Sequence, residues 1–258
     1  MGGRVLLVGA GPGDPELLTL KAVRAIERAE VVVFDRLVPA AILDMAPQSA
    51  ERIDVGKRSG FHTLPQAEIN QLLVRLGLTG RLVVRLKGGD PFLFGRGGEE
   101  ALALKAAGVD FEVIPGITSA QGCAAALNLP LTHRNLATGV RFITGQRCGD
   151  EALEHDWKGL ADPKTTLVVY MGLANIAEIA GRLIANGANA AMPVAAISQG
   201  TQQTSRHIVS TLGGIADAVA EARLESPTLF IIGKVADIAK TLAETGHDGN
   251  ANLAVAAA

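Results

Sequence analysis

Two charged residues in the sequence could move protons. Asp35 comes directly after the apolar run Val31–Phe34, and Lys57 lies in a polar stretch further along the chain. A carboxylate can accept a proton and an ammonium group can donate one, so this pair could serve general acid–base chemistry. Because single charged residues are common in loops, their types alone favour a turn-capping aspartate and a solvated lysine.

The first of three glycine-rich loops, Gly9–Asp14, connects a predicted strand to a predicted helix and superficially matches a dinucleotide-binding turn. That turn requires a third glycine where this chain has Asp14, a negative charge at the place of a phosphate. Pro12 also lacks the backbone N–H that a phosphate would accept. The loop therefore favours a plain strand-to-helix turn over a nicotinamide- or flavin-binding oxidoreductase.

The other two loops are better candidates for ligand binding. Lys87–Glu100 holds five glycines, an Asp-Pro pair and two phenylalanines between a predicted strand and helix, and Pro115–Ser119 opens the next helix. Bare backbone lets a ligand approach closely, and ligands of open α/β sheets bind beyond the carboxyl ends of strands. The alternatives are a long turn anchored by its two phenylalanines, and hydroxyl groups of Thr118 and Ser119 that only cap a helix.

The composition excludes several classes of protein. With 258 residues, 48% of them hydrophobic, the chain can bury a sizeable core, which excludes disorder as its main state. Aromatic residues are only 3% and the net charge is -2, which disfavours a nucleic-acid surface. Apolar runs are too short for a membrane helix, and Cys123 and Cys148 are too few for a disulfide framework or a four-thiolate metal site. We therefore expect a cytoplasmic protein without a metal.

Short apolar runs alternate with amphipathic stretches almost throughout, which predicts an α/β fold with mostly parallel or mixed sheets. Arg206–Ser210 is the strand expected to pair antiparallel. The polar stretch Gln146–Lys164 interrupts the pattern and indicates a domain change shortly before it. We predict an N-terminal α/β domain over residues 1–134, a C-terminal α/β domain over 135–245, and a flexible tail over 246–258.

The predicted elements are as follows. Strands are expected at Val5–Val8, Val31–Phe34, Leu82–Leu86, Phe111–Ile114, Val140–Thr144, Thr166–Tyr170, Val194–Ile197, Arg206–Ser210 and Leu229–Ile232. Helices are expected at Pro15–Arg28, Pro65–Leu76, Gly98–Ala107, Thr118–Leu127, Ile176–Ala185, Ile215–Arg223 and Val235–Glu244.

Seven segments together resemble the tetrapyrrole methylase family, the class III S-adenosylmethionine-dependent methyltransferases, over about Val5–Val235. The run Lys87–Glu100 is the most specific of them. The segments are Val8–Asp14, Val33–Leu37, Val55–Arg58, Lys87–Glu100, Pro115–Thr118, Pro130–Arg134 and Tyr170–Gly172.

The resemblance implies two α/β domains with an active-site cleft between them, and a homodimer. It is strongest to members that methylate uroporphyrinogen III twice, giving precorrin-1 and then precorrin-2 for sirohaem and cobalamin synthesis, with S-adenosylhomocysteine as the other product. An extra N-terminal dehydrogenase and chelatase domain is not expected here. The alternatives are a family member acting on a later corrinoid precursor, diphthamide or ribosomal RNA, and a catalytically inactive binding protein.

Site residues follow from the same resemblance. Asp35 matches the proton acceptor and Lys57 the proton donor. The substrate is rich in carboxylates, so cations must be gathered locally, and arginine suits carboxylates through its planar fork. The expected substrate-binding residues, besides Lys57, are Arg36, Arg58, Arg96, His133 and Arg134. The expected S-adenosylmethionine contacts are Pro12, Gly88, Gly89, Asp90, Leu93, Thr118, Ser119, Met171 and Gly200.

Overall fold

The computed structural model describes residues 3–56, 64–147, 152–244 and 254–255. The chain divides into two compact units, Met1–Ser119 and Ala120–Ala258, each built around its own β-sheet. The predicted α/β class, with mostly parallel or mixed sheets, is confirmed. The domain boundary predicted after Arg134 stays a prediction.

The described strands of the first unit form a parallel sheet in the order β3-β2-β4-β1-β5. Because all these strands run in one direction, the loops that follow them emerge at one edge of the sheet. The elements are β1 Arg4–Gly9, α1 Leu20–Ile26, β2 Val31–Phe34, α2 Ala40–Leu43, β3 Glu51–Asp54, α3 Gln66–Gly77, β4 Leu82–Lys87, α4 Gly97–Ala106 and β5 Asp110–Ile114.

Both faces of the first sheet are covered, so most residues of its inner strands are buried and apolar. Val84 and Leu86 of β4 pack in the same cluster as residues of α1 and α2. Val83, on the opposite face, packs with Leu73 of α3 and Leu104 of α4. This two-sided burial explains the near-continuous apolar runs that predicted these strands.

The second unit holds a mixed sheet in the order β11-β9-β8-β10-β7-β6. Strands β8 and β9 pair antiparallel, as predicted for Arg206–Ser210. The elements are α5 Ser119–Ala126, β6 Gly139–Thr144, α6 Trp157–Leu160, β7 Thr165–Tyr170, α7 Ile176–Ala185, β8 Pro193–Ser198, β9 Arg206–Thr211, α8 Ile215–Glu221, β10 Thr228–Ile232, α9 Ala236–Glu244 and β11 Ala254–Val255.

Helix α5 belongs to the packing of the second sheet. Its buried residues Ala120, Cys123 and Ala124 lie in one apolar cluster with Val168 of β7 and Ile231 of β10. The hydroxyl of Tyr170 at the end of β7 accepts a hydrogen bond from the Ala120 amide at 3.1 Å. These contacts place the start of the second unit at the beginning of α5.

The structure corrects two sequence-based expectations. The single helix predicted over Pro15–Arg28 is broken into a 3-10 turn and α1, because Thr19 caps α1 by accepting from the Ala22 amide at 3.1 Å. Ala254 and Val255 pair in parallel with β9, so these two residues are not part of a frayed tail. The rest of the predicted flexible tail, residues 246–253 and 256–258, lies outside the described residues.

Four of the elements were not predicted from the sequence: helices α2 and α6 and strands β3 and β11. Strand β11 has only two residues, and α6 is a single turn of four. Helix α2 has only four residues, too few for helical periodicity to appear. Strand β3 lies at the edge of the first sheet with the charged sequence Glu-Arg-Ile-Asp, so it lacks the apolar run of a buried strand.

Substitution of Leu104 by alanine is expected to lower the free energy of unfolding by about 3 kcal/mol, because it leaves a cavity under α4. Leu104 is fully buried, whereas Leu102 on the same helix is 73% exposed. The Leu102→Ala variant is the matched control and should change stability by less than about 0.5 kcal/mol. Denaturant titration of both variants measures the difference, and equal losses would contradict the assigned packing.

Candidate active site

The three glycine-rich loops meet at the carboxyl edge of the first sheet. Gly11 and Gly89 form an antiparallel bridge, in which the Gly89 amide donates to the Gly11 carbonyl at 2.7 Å and the Gly11 amide donates back at 3.2 Å. A Cβ on Gly116 would collide with the Gly89 carbonyl, and one on Gly9 would lie 2.5 Å from the Gly116 nitrogen. Glycine is therefore required where the three backbones touch.

Asp90 connects the second loop to the third. Its Oδ1 accepts from the Phe92 amide at 2.8 Å, and its Oδ2 accepts from the Gly116 amide at 3.1 Å. In the first loop, Asp14 accepts from the Glu16 amide at 2.9 Å and caps the 3-10 turn. The first loop thus connects β1 to a 3-10 turn whose N-terminus Asp14 caps.

The second loop holds several residues in left-handed conformations. Gly89 has φ of 67°, and the non-glycine residues Phe94 and Arg96 have φ of 54° and 58°. Such conformations cost free energy in residues with a Cβ and often occur at functional sites. Arg96 forms a bidentate pair with Glu99, Nε to Oε1 at 2.8 Å and Nη2 to Oε2 at 2.7 Å, and its side chain is exposed.

Asp35 lies at the same edge, directly after β2. Its Oδ1 accepts from the Leu37 amide at 3.1 Å, the turn-capping contact expected from sequence. Its Oδ2 lies 3.7 Å from Nη2 of Arg85, and the side chain is 28% exposed. Asp35 is therefore both held by the protein and open to a ligand, and the neighbouring Arg36 is exposed.

The remaining first-unit candidates lie in the three loops. Pro12, Gly88, Leu93, Thr118 and Ser119 are half-buried there. Lys57 and Arg58, the predicted proton donor and a predicted substrate contact, lie outside the described residues.

Behind Asp35 lies a buried charged cluster that the sequence analysis missed, which we call the Glu100 cluster. It consists of Arg85, Lys87 and Glu100, and Oε1 of Glu100 accepts from Arg85 Nε at 3.2 Å and from Lys87 Nζ at 2.8 Å. Burial and the charge of Arg85 lower the pKa of Lys87 despite the opposing effect of Glu100. One feature of the sequence could have indicated this cluster. Arg85 and Lys87 lie on the same face of β4 as Val83, and charged residues are unusual on the face of a buried strand.

Four candidates lie in the second unit. Met171 follows β7 with φ of 53° and is exposed, and Gly200 follows β8 between two residues of positive φ, Gln199 and Thr201. His133 and Arg134 are exposed in a turn closed by the pair of backbone hydrogen bonds between residues 133 and 137. The structure thus places Met171 and Gly200 in loops after strands, and His133 and Arg134 on the surface.

Gly200 packs against a cysteine. A Cβ at this position would overlap Sγ of Cys123, which is buried in α5. Burial raises the pKa of the Cys123 thiol to about 12. The thiol therefore stays protonated at neutral pH and acts as a small apolar residue.

Within the described residues, no helix is both long and apolar enough to cross a membrane. The same part of the chain contains no group of three or more His, Cys, Asp or Glu side chains arranged to hold a metal ion.

Two α/β units and interlocked glycine loops at the carboxyl edge of a parallel sheet define the chain as an α/β protein built to bind a small molecule. The chain belongs to the tetrapyrrole (corrin/porphyrin) methylases, whose family model matches residues 4–216.

Curated relatives narrow the comparison. The chain is 54% identical to a uroporphyrinogen-III C-methyltransferase of Paracoccus denitrificans over 241 residues, covering 93% of this chain and 84% of that protein. It is 53% identical to a sirohaem synthase of Azotobacter vinelandii, covering 93% of this chain but only 52% of that protein. The chain therefore spans about half the length of the sirohaem synthases that it matches.

Solved structures agree with this placement. The native uroporphyrin-III C-methyltransferase of Thermus thermophilus superposes with a TM-score of 0.78 at 42% identity, covering 92% of this chain and all of that one. The same enzyme complexed with S-adenosylhomocysteine gives the same score and identity, with 94% of that chain covered. A cobalt precorrin-4 methyltransferase superposes at 0.81 with 26% identity, covering 91% of this chain and 96% of that one.

Substitution of Gly116 by alanine is expected to destabilise the protein by about 2 kcal/mol or more, because the new Cβ would force the second and third loops apart. Gly98→Ala is the matched control, since nothing lies within 4 Å of a Cβ there and alanine favours the helix by about 0.5–1 kcal/mol. Thermal unfolding of the two variants should therefore shift in opposite directions. Two shifts of the same sign would contradict the interlocked loops.

Proposed function

We propose that this protein transfers methyl groups from S-adenosylmethionine to carbons of uroporphyrinogen III, twice, giving precorrin-1 and then precorrin-2. The observation that carries the proposal is the meeting of the glycine loops beside Asp35 at one edge of the sheet, in a chain 54% identical to a uroporphyrinogen-III C-methyltransferase. The similar enzymes of Paracoccus denitrificans and Thermus thermophilus, the latter solved with S-adenosylhomocysteine, support the same substrate and cosubstrate.

The loops suit a cosubstrate that approaches bare backbone. Gly89 is left-handed, and a Cβ there would lie 3.9 Å from Ser119 and Thr118, so the second loop packs on the third through backbone rather than through a side chain. When bound, S-adenosylmethionine supplies an electrophilic methyl group on a sulfonium. The proposed contacts are Pro12, Gly88, Gly89, Asp90, Leu93, Thr118 and Ser119 in the first unit and Met171 and Gly200 in the second.

The chemistry assigned to the protein is positioning and proton removal. A pyrrole carbon attacks the methyl carbon in line, the carbon–sulfur bond breaks with its electrons going to sulfur, and a neutral thioether leaves. The substrate ring becomes cationic and must then lose a proton. The Asp35 carboxylate stabilises that positive charge and accepts the proton, and Lys57 is the proposed proton donor.

Exposed cations are proposed to meet the substrate carboxylates. Arg36 and Arg96 lie exposed at the carboxyl edge of the first sheet, and His133 and Arg134 are exposed in the second unit. Arg58 completes the proposed set. The fork of Arg96 pairs with Glu99 in bidentate geometry, so this arginine would have to release Glu99 to bind a substrate carboxylate in the same way.

A second candidate is methylation of a later corrinoid precursor. The TM-score of 0.81 with the cobalt precorrin-4 methyltransferase favours it, whereas the identity of 26% against 54% for the uroporphyrinogen enzyme favours the first proposal. A homodimer, a cytoplasmic location and a product used for sirohaem or cobalamin belong to the same proposal.

Anaerobic incubation with uroporphyrinogen III and S-adenosylmethionine is expected to give mono- and then dimethylated products, detected by mass spectrometry. Asp35→Asn should lower kcat by about 100-fold or more, because the isosteric amide cannot accept the proton. Asp44→Asn is the matched control, since Asp44 is 70% exposed and forms a surface ion pair with Arg52. Absence of methylated product would refute the substrate, and full turnover by Asp35→Asn would refute its role alone.

Added salt is expected to raise the KM for uroporphyrinogen III several-fold between about 0.05 and 0.5 M, because ionic screening weakens contacts between exposed arginines and substrate carboxylates. The KM for S-adenosylmethionine should change less, since its proposed loops are largely backbone. Initial rates at varied salt measure both constants. Equal responses would argue against the basic residues as carboxylate contacts.

A further inference from the structure

Glu100 is placed where an uncompensated charge would be costly. Its residue is fully buried in α4, and Oε1 accepts from Arg85, from Lys87 and, at 3.2 Å, from Nε2 of Gln66 on α3. The other oxygen, Oε2, is buried without a hydrogen-bond partner among the described residues. A fully buried carboxylate is tolerated when cations pair with it, so its position is tied to those two side chains.

The charges of this cluster do not balance within it. Arg85 and Lys87 contribute two positive charges and Glu100 one negative charge. Among the described residues, the carboxylate that completes the balance is Asp35, 3.7 Å from the outer nitrogen of Arg85. The buried cluster therefore extends electrostatically to the partly exposed residue that is assigned the proton.

The guanidinium of Arg85 is fixed on its other sides. Nε donates to Glu100, and Nη1 donates to the carbonyls of Leu86 at 3.0 Å and Val33 at 3.5 Å. Because the guanidinium is planar and rigid, fixing Nε and Nη1 also fixes the direction of Nη2. That remaining nitrogen faces Oδ2 of Asp35.

We propose that Glu100 is a positioning residue for proton removal: by holding Nε of Arg85, it aims Nη2 at Asp35 and fixes that carboxylate at the carboxyl end of β2. The inference rests on the proposed role of Asp35 and deepens it. Glu100 touches neither substrate nor cosubstrate in this account, and its effect passes through Arg85.

The test compares two paired variants that leave the net charge of the cluster unchanged. Lys87→Met with Glu100→Gln keeps an oxygen that can accept from Arg85 Nε. Lys87→Met with Glu100→Leu removes that oxygen at similar volume. Each pair of substitutions removes one cation and one anion. Glu100→Gln alone would instead leave both Arg85 and Lys87 without the Glu100 charge, and a second uncompensated buried cation could make that variant misfold. Cooperative thermal unfolding of both paired variants is the control that shows whether they are folded.

We expect the Gln-containing variant to have a kcat at least tenfold higher than that of the Leu-containing variant, with KM values for S-adenosylmethionine within threefold of each other. Equal kcat values would overturn the proposal. A difference confined to the KM for S-adenosylmethionine would overturn it too, since it would assign Glu100 to the cosubstrate loop instead.

A second arm repeats the comparison in the Asp35→Asn background, with methyl incorporation followed by a radiolabel. If Glu100 acts through Asp35, the ratio between the two variants should fall below twofold there, because interactions along one path are not additive. A ratio that stays at tenfold would mean a general structural role and would overturn the proposal. Full turnover by Asp35→Asn alone would instead refute the proposed role of Asp35, an outcome separate from failure of the Glu100 comparison.

Discussion

The close approach of three backbones at Gly9, Gly89 and Gly116 is the constraint on which the first unit depends. Strands β1, β4 and β5 are neighbours in a parallel sheet, so the loops after them must leave through the same narrow edge. Side chains at the crossing would push these loops apart, and the contacts that Asp90 makes between the second and third loops would be lost. Because these residues have no Cβ, the three loops can pack closely and their backbone can also be approached by a ligand.

A second constraint is electrostatic. The face of β4 that should be apolar carries Arg85 and Lys87, and α4 supplies one buried carboxylate to oppose them. Such an arrangement is a poor way to gain stability, because desolvation offsets much of the attraction between buried ions. Its value is better sought in directing the partly exposed carboxylate of Asp35, which carries the remaining negative charge.

Most helices and strands could be predicted from the sequence because each depends on a local pattern of apolar residues. Apolar runs such as Val31–Phe34 and Leu82–Leu86 predicted strands within a residue or so of their observed ends, and the glycine loops predicted the edge of the sheet where the candidate site lies. The features that were not predicted are either very short or depend on contacts between residues far apart in the sequence. The break at Thr19 appears as one polar residue within a helical pattern, and β3 is a charged edge strand.

The Glu100 cluster could not be predicted from any local pattern, because it depends on α4 lying against the same face of β4 as Arg85. The roles of the candidate residues came from family resemblance and remain predictions.

The contact between Gly200 and Cys123 has an evolutionary consequence. The two positions are far apart in the chain but in contact, and the Cys123 thiol fills the place that a Cβ at position 200 would need. A larger residue at either position fits only if the other becomes smaller, and Gly200 has no atoms left to lose. Lineages should therefore drift at position 123 only among small residues while glycine persists at 200. Where position 200 has gained a side chain, position 123 should have shrunk to alanine or glycine, a covariation that follows from volume alone.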